Sequence, residues 1–95
     1  ITIDLGSEKL VSEVLMSHAE AGGESADMNT QKYTIEVSSN GKDFTEVASI
    51  DKNAAGETVD TFKATKARYV RVNTIKPTQG SDQAVRIYEV QVRGQ

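Results

Sequence analysis

Two runs of alternating apolar and polar residues flank the dipeptide Asn40-Gly41, and this stretch restricts the fold more than any other. Tyr33-Thr34-Ile35-Glu36-Val37-Ser38 puts Tyr33, Ile35 and Val37 on one face. Phe44-Thr45-Glu46-Val47-Ala48-Ser49-Ile50 resumes a strand pattern after the dipeptide. A period of two is that of a half-buried strand. Asn-Gly between two such runs marks a hairpin, because both residues tolerate positive φ. The remaining chain must supply strands that cover the apolar face of this hairpin.

The same pattern recurs along the sequence. Residues 1–6 alternate and stop at Gly6, and residues 7–10 read as a turn. Residues 11–18 form a second strand whose alternation slips at Leu15, a sign of a bulge. Residues 57–63, 68–75 and 85–92 are three further strands, with a turn expected at 64–67. No stretch carries sustained helical periodicity. Seven short strands joined by polar turns predict an all-β fold, an antiparallel β-sandwich.

Length and composition narrow the class. Ninety-five residues make one domain, 1–95, with a modest core. There are no cysteines, so neither disulfides nor thiolate metal sites are available. The net charge of −3 is spread along the chain, which argues against nucleic acid and against a polybasic membrane contact. No apolar run reaches transmembrane length. The chain begins at Ile1 rather than Met and reads as a piece of a longer protein.

Three connections are longer and more polar than a tight turn needs: residues 18–31, 51–56 and 76–84. If successive strands run antiparallel, strand parity brings all three to one end of the sandwich. The short turns at Asn40-Gly41 and 64–67 fall at the other end. The long loops then form a rim carrying His18, Glu24, Asn29, Asn53, Gln79, Asp82 and Arg86. Polar loops on a rigid sheet are where binding groups usually sit.

Four segments resemble one family. Ile3-Asp4-Leu5-Gly6 is similar to the opening strand of the coagulation-factor type C (discoidin) domain. Tyr33 to Phe44 resembles its Tyr-x-Ile-x-x-Ser-x-Asp-Gly-x-x-Trp hairpin, with Phe44 in the tryptophan place. Ala67-Arg68-Tyr69-Val70-Arg71-Val72 and Ile87-Tyr88-Glu89-Val90-Gln91-Val92-Arg93-Gly94 resemble two later strands. The loop residues look most like the bacterial branch, the family 32 carbohydrate-binding modules appended to glycoside hydrolases. The resemblance implies a discoidin-like jelly roll (galactose-binding-domain-like). It also implies a secreted or cell-surface protein whose partners are a glycan of galactose, N-acetylglucosamine or mannose type and the catalytic domain of a parent enzyme. Family domains carry an additional N-terminal segment with part of a calcium site, so this chain resembles their C-terminal two-thirds. Lipid-binding members display apolar spikes on their loops, where this chain offers only Met28.

By the same resemblance, His18, Asn29 and Arg86 are candidate sugar ligands, with Glu24 beside them. Each has a plainer reading. His18 is structural or a ligand. Glu24 accepts a sugar hydroxyl or braces Gly22-Gly23. Asn29 contacts sugar or caps its loop. Arg86 is a ligand, a brace or a surface charge. Tyr33, Phe44, Phe62, Tyr69 and Tyr88 all read as core, leaving the rim without an aromatic face. Glu89 matches the family's calcium-supporting glutamate, but calcium takes six to eight oxygens, so the expected site is partial or empty. Neither a cysteine nucleophile, a histidine cluster nor a phosphate-binding glycine motif is present, so catalysis is not expected. The expected function is non-catalytic carbohydrate binding, and the alternative is a structural spacer or protein-interaction domain of a large secreted enzyme.

Overall fold

The computed structural model describes residues 1–94. Five strands run β1 Thr2–His18, β2 Lys32–Ser38, β3 Thr45–Ile50, β4 Glu57–Lys76 and β5 Ile87–Gly94. They form one antiparallel sheet in the order β3-β2-β4-β1-β5. Two short 3-10 helices, Ala19–Gly22 and Ala26–Met28, lie in the connection between β1 and β2.

The seven expected strands become five because two expected turns are bends inside longer strands. Asp4 pairs with Tyr69 on β4, yet Lys9 pairs with Ala67, so residues 5–8 bulge out of the ladder. Gly6 sits in that bulge at φ 85°, and the Asp4 carboxylate accepts a hydrogen bond from its N–H. The expected turn at 64–67 stays paired instead, with Thr65, Lys66 and Ala67 opposite Val11, Leu10 and Lys9.

A straight strand of twenty residues would measure about 65 Å, but the longest dimension of the molecule is 36 Å. β4 therefore bends. Its first limb pairs with the second half of β1, and its second limb pairs with β2 and the start of β1. The sheet closes over itself into a sandwich, the fold class the sequence predicts. Val11, Val14 and Met16 from one layer meet Tyr33, Ile35, Val37, Val70 and Val72 from the other in a single core. Tyr33, Ile35 and Val37 are inward, as their alternation requires.

The hairpin is present between β2 and β3, but only one of its two signal residues uses a positive φ. Of Asn40 and Gly41, only Gly41 has positive φ, at 77°. Asn40 acts through its side chain, whose Oδ1 accepts from the N–H groups of Lys42 and Asp43. The Ser38 hydroxyl accepts from Asn40 and Gly41 in turn. Phe44 is only half-buried, with the Arg71 guanidinium 3.9 Å from its ring centroid and Glu36 holding that arginine.

Ile35 is fully buried between the layers. Ile35→Ala should lower the unfolding free energy by about 2–5 kcal/mol in urea titration. A loss below about 1 kcal/mol would mean that the two layers are not packed as described.

Candidate functional site

Both ends of β4 emerge at one end of the sandwich, and the three long loops meet there. His18 N–H donates to Gly56 O at 2.7 Å, Asn53 N–H to Gln31 O at 2.9 Å, and Gln31 N–H to Lys76 O at 3.0 Å. The Gln79 amide donates to Asn29 O at 2.9 Å and to Asn53 O at 2.8 Å, tying a residue from each loop together. The shared rim expected from strand parity exists although the strand count differs. A bend reverses the chain direction just as a turn does.

Asn29 is fully buried beneath this rim. Its Oδ1 accepts from Glu20 N–H at 2.9 Å, and its Nδ2 donates to Ala54 O at 3.1 Å. The side chain is buried and both of its ends brace the loops, so the expectation of direct sugar contact is corrected to the loop-capping alternative. His18 is corrected in the same way. It is also fully buried, its ring centroid lies 5.9 Å from that of Tyr33, and Nε2 is 3.0 Å from Thr58 Oγ1. A side chain with no accessible surface cannot touch a ligand. Tyr33 OH donates to Asp60 at 2.5 Å beside it, which extends a polar network under the rim in which His18 Nδ1 is left without a partner among the described residues.

Glu24 and Arg86 do come together on the surface. Arg86 Nε donates to Glu24 Oε1 at 3.1 Å, its terminal nitrogens to Asp82 Oδ2 at 3.1 Å and Ala84 O at 3.2 Å. The Ala84 N–H and Arg86 together hold the Asp82 carboxyl below its ordinary range, so it stays ionised near neutrality. Glu24 braces no glycine turn through its side chain. Its second oxygen accepts from the Tyr88 hydroxyl. Beside this cluster an open cavity of about 340 Å³ is lined by Asp27, Met28, Thr78, Gln79, Gly80, Ser81 and Asp82. Carboxylate lone pairs and guanidinium N–H groups at such an edge suit the paired hydroxyls of a sugar.

Tyr88 overturns the expectation of a rim without an aromatic ring, because it is 56% exposed rather than part of the core. The reason is a bulge. Ser17 pairs with Glu89 but His18 with Ile87, which leaves Tyr88 as the extra residue on β5. The signal is present in the sequence: Ile87 cannot share a face with Val90 and Val92 at a strict period of two.

Glu89 lies outside this cluster. It pairs with Ser17 across the ladder, opposite the position of Glu57, and accepts from the Gln91 amide at 2.7 Å. Among the described residues no three His, Cys, Asp or Glu side chains gather closely enough to hold a metal ion.

The sequence profile of the F5/8 type C domain matches residues 1–90. The chain belongs to this family. Among solved structures, the F5/8 type C domain described here is similar to the family 32 carbohydrate-binding module of Streptococcus pneumoniae EndoD, at TM-score 0.89 and 27% identity. That match covers 99% of this chain and 68% of the pneumococcal one. Chitosan-binding module 2 of a Paenibacillus sp. IK-5 chitosanase/glucanase, solved with chitotriose, matches at TM-score 0.78 and 26% identity, covering 98% of this chain and 67% of that chain. A Clostridium perfringens family 32 module solved with GalNAc-β-1,3-galactose shares the fold at TM-score 0.80 and 21% identity, covering 96% and 62%. The F5/8 type C chain thus spans about two-thirds of the length of these modules. No curated protein sequence matches it.

Burial pushes the His18 imidazole below its ordinary value of 6.5, outweighing the opposing pull of Asp60. The unfolded chain therefore takes up a proton below about pH 6.5 that the folded domain refuses. Stability should fall as pH drops from 7.5 to 5.5, and His18→Gln should flatten that dependence in urea titrations. Equal pH slopes for the two proteins would contradict a buried neutral histidine.

Proposed function

We propose that this F5/8 type C domain is a non-catalytic carbohydrate-binding module that reads a glycan through the rim built by its three long loops. The observation that carries the reading is the convergence of those loops at one end of the sandwich, where a half-buried Glu24–Arg86–Asp82 cluster lies beside an open cavity. The likeness to modules solved with chitotriose and with GalNAc-β-1,3-galactose supports it.

In this reading the domain holds a parent glycoside hydrolase against its substrate at the bacterial surface or outside the cell, raising local concentration without performing chemistry. The glycan is of galactose, N-acetylglucosamine or mannose type. Calcium binds through Glu89 only where further oxygen ligands come from outside residues 1–94.

A glycan array followed by calorimetry on the full chain tests the proposal. Selective binding is expected. Arg86→Ala should weaken it about tenfold, since it unpairs two carboxylates and removes a charged donor. Arg68→Ala, at the far end of the sandwich, should leave it unchanged. A folded chain that binds no glycan would point to the spacer alternative.

A further inference from the structure

The end of the sandwich opposite the rim is formed by the turn after β2 and the bend in β4. Between them lies a second open cavity, of about 330 Å³. Ser39, Asp43, Thr45, Thr65 and Lys66 line it, and Val37 is its apolar contribution. Ser38 and Asn40 also reach it, but their oxygens are spent on the turn. The Thr65 hydroxyl donates to Lys63 O at 2.9 Å and keeps its lone pairs free to accept. A cleft of this size lies in the range that holds small ligands.

The charges around this cavity are out of balance. Lys9 sits opposite Ala67, next to Lys66 on β4, and Lys42 lies between Asn40 and Asp43 in the turn. With Lys63 these make four exposed lysines, and none forms an ion pair among the described residues. Neighbouring carboxylates are engaged elsewhere: Asp4 by Arg68, Glu36 by Arg71 and Glu13 by Arg93. Glu46 follows the cavity-lining Thr45 on β3 and so points to the opposite face. That leaves Glu8 and Asp43, and Asp43 already accepts from the Asn40 amide. The surplus acids lie towards the rim, in Glu20, Glu24, Asp27, Asp51 and Asp82. The net charge of −3 thus conceals a cationic far end. Uncompensated like charges on neighbouring strands are unfavourable, and an anion relieves them.

The donor chemistry selects the anion. Arg68 and Arg71 are held by their own carboxylates and lie across the Tyr69 and Phe44 rings. Neither their guanidinium forks nor those ring faces are open to the phosphates and bases of a nucleic acid. What remains is a set of lysine point charges around hydroxyls, which suits singly charged carboxylates carried on a sugar chain. We propose that the far end of the sandwich is a second binding site, and that it takes an acidic polysaccharide, a uronate chain whose carboxylates pair with Lys42 and Lys66 and whose hydroxyls reach Ser39, Thr45 and Thr65. The site shares no residue with the rim and does not depend on the rim's binding sugar.

The test is a titration of the full chain with a galacturonate oligosaccharide, followed by amide NMR. The amides of Ser39, Lys42, Thr65 and Lys66 should shift, and those of Glu24 and Arg86 should not. Affinity should fall severalfold between about 20 and about 150 mM salt, as screening of exposed charges requires. Lys42→Glu with Lys66→Glu should weaken binding at least tenfold, and the milder Lys66→Gln about threefold. Lys52→Glu with Lys76→Glu makes the same change in net charge near the rim and should leave affinity within about twofold. Thermal melts should move little in either pair. Shifts confined to rim amides would overturn the second site. Equal losses in the two charge-reversal pairs would also overturn it, because they would mean attraction by net charge alone. Tighter binding of duplex DNA than of the uronate would overturn the ligand class. A chain that binds the uronate at the far end but no neutral glycan would support this site while the rim reading failed.

Discussion

The fold depends on β4 bending back within a body 36 Å long. Its two limbs belong to different layers, so the core between them is closed by one continuous strand rather than by a loop. The bend also returns both ends of β4 to the same end of the sandwich. The connections that flank it, and the one between β1 and β2, are thereby forced into contact. The rim is a consequence of that covalent geometry before any loop residue is considered.

What the loop residues then do is divided by depth. Asn29, Asn53 and Gln79 satisfy backbone groups of neighbouring loops, because buried N–H and C=O groups left unpaired would cost more than the loops could recover. His18, Thr58, Asp60 and Tyr33 form a second polar layer against the core. Only above these do charged groups reach water, and there Arg86 is already satisfied by two carboxylates. A ligand therefore meets a preorganised surface. Its polar groups adjust around a guanidinium that is held from both sides.

The register of the central strands was legible because Tyr33, Ile35 and Val37 obey a strict period of two and all three are buried. The family was legible from motifs, since its strands carry short, ordered signatures. The internal bends were harder to read. Gly6 and the 64–67 stretch look like turns, and whether a chain turns or bends depends on what pairs with it. Site depth was harder still. His18 and Asn29 carry the chemistry of sugar ligands, but nothing local says whether a polar side chain points out or is spent within.

The alternation of side chains by itself determined an all-β chain, the inward face of the hairpin and the shared end of the polar loops, because strand period and direction are properties of the backbone alone. Only the tertiary structure decided that Asn29 and His18 are buried braces. That outcome turns on neighbours tens of residues away, and no local pattern records the loss of solvent that such neighbours impose.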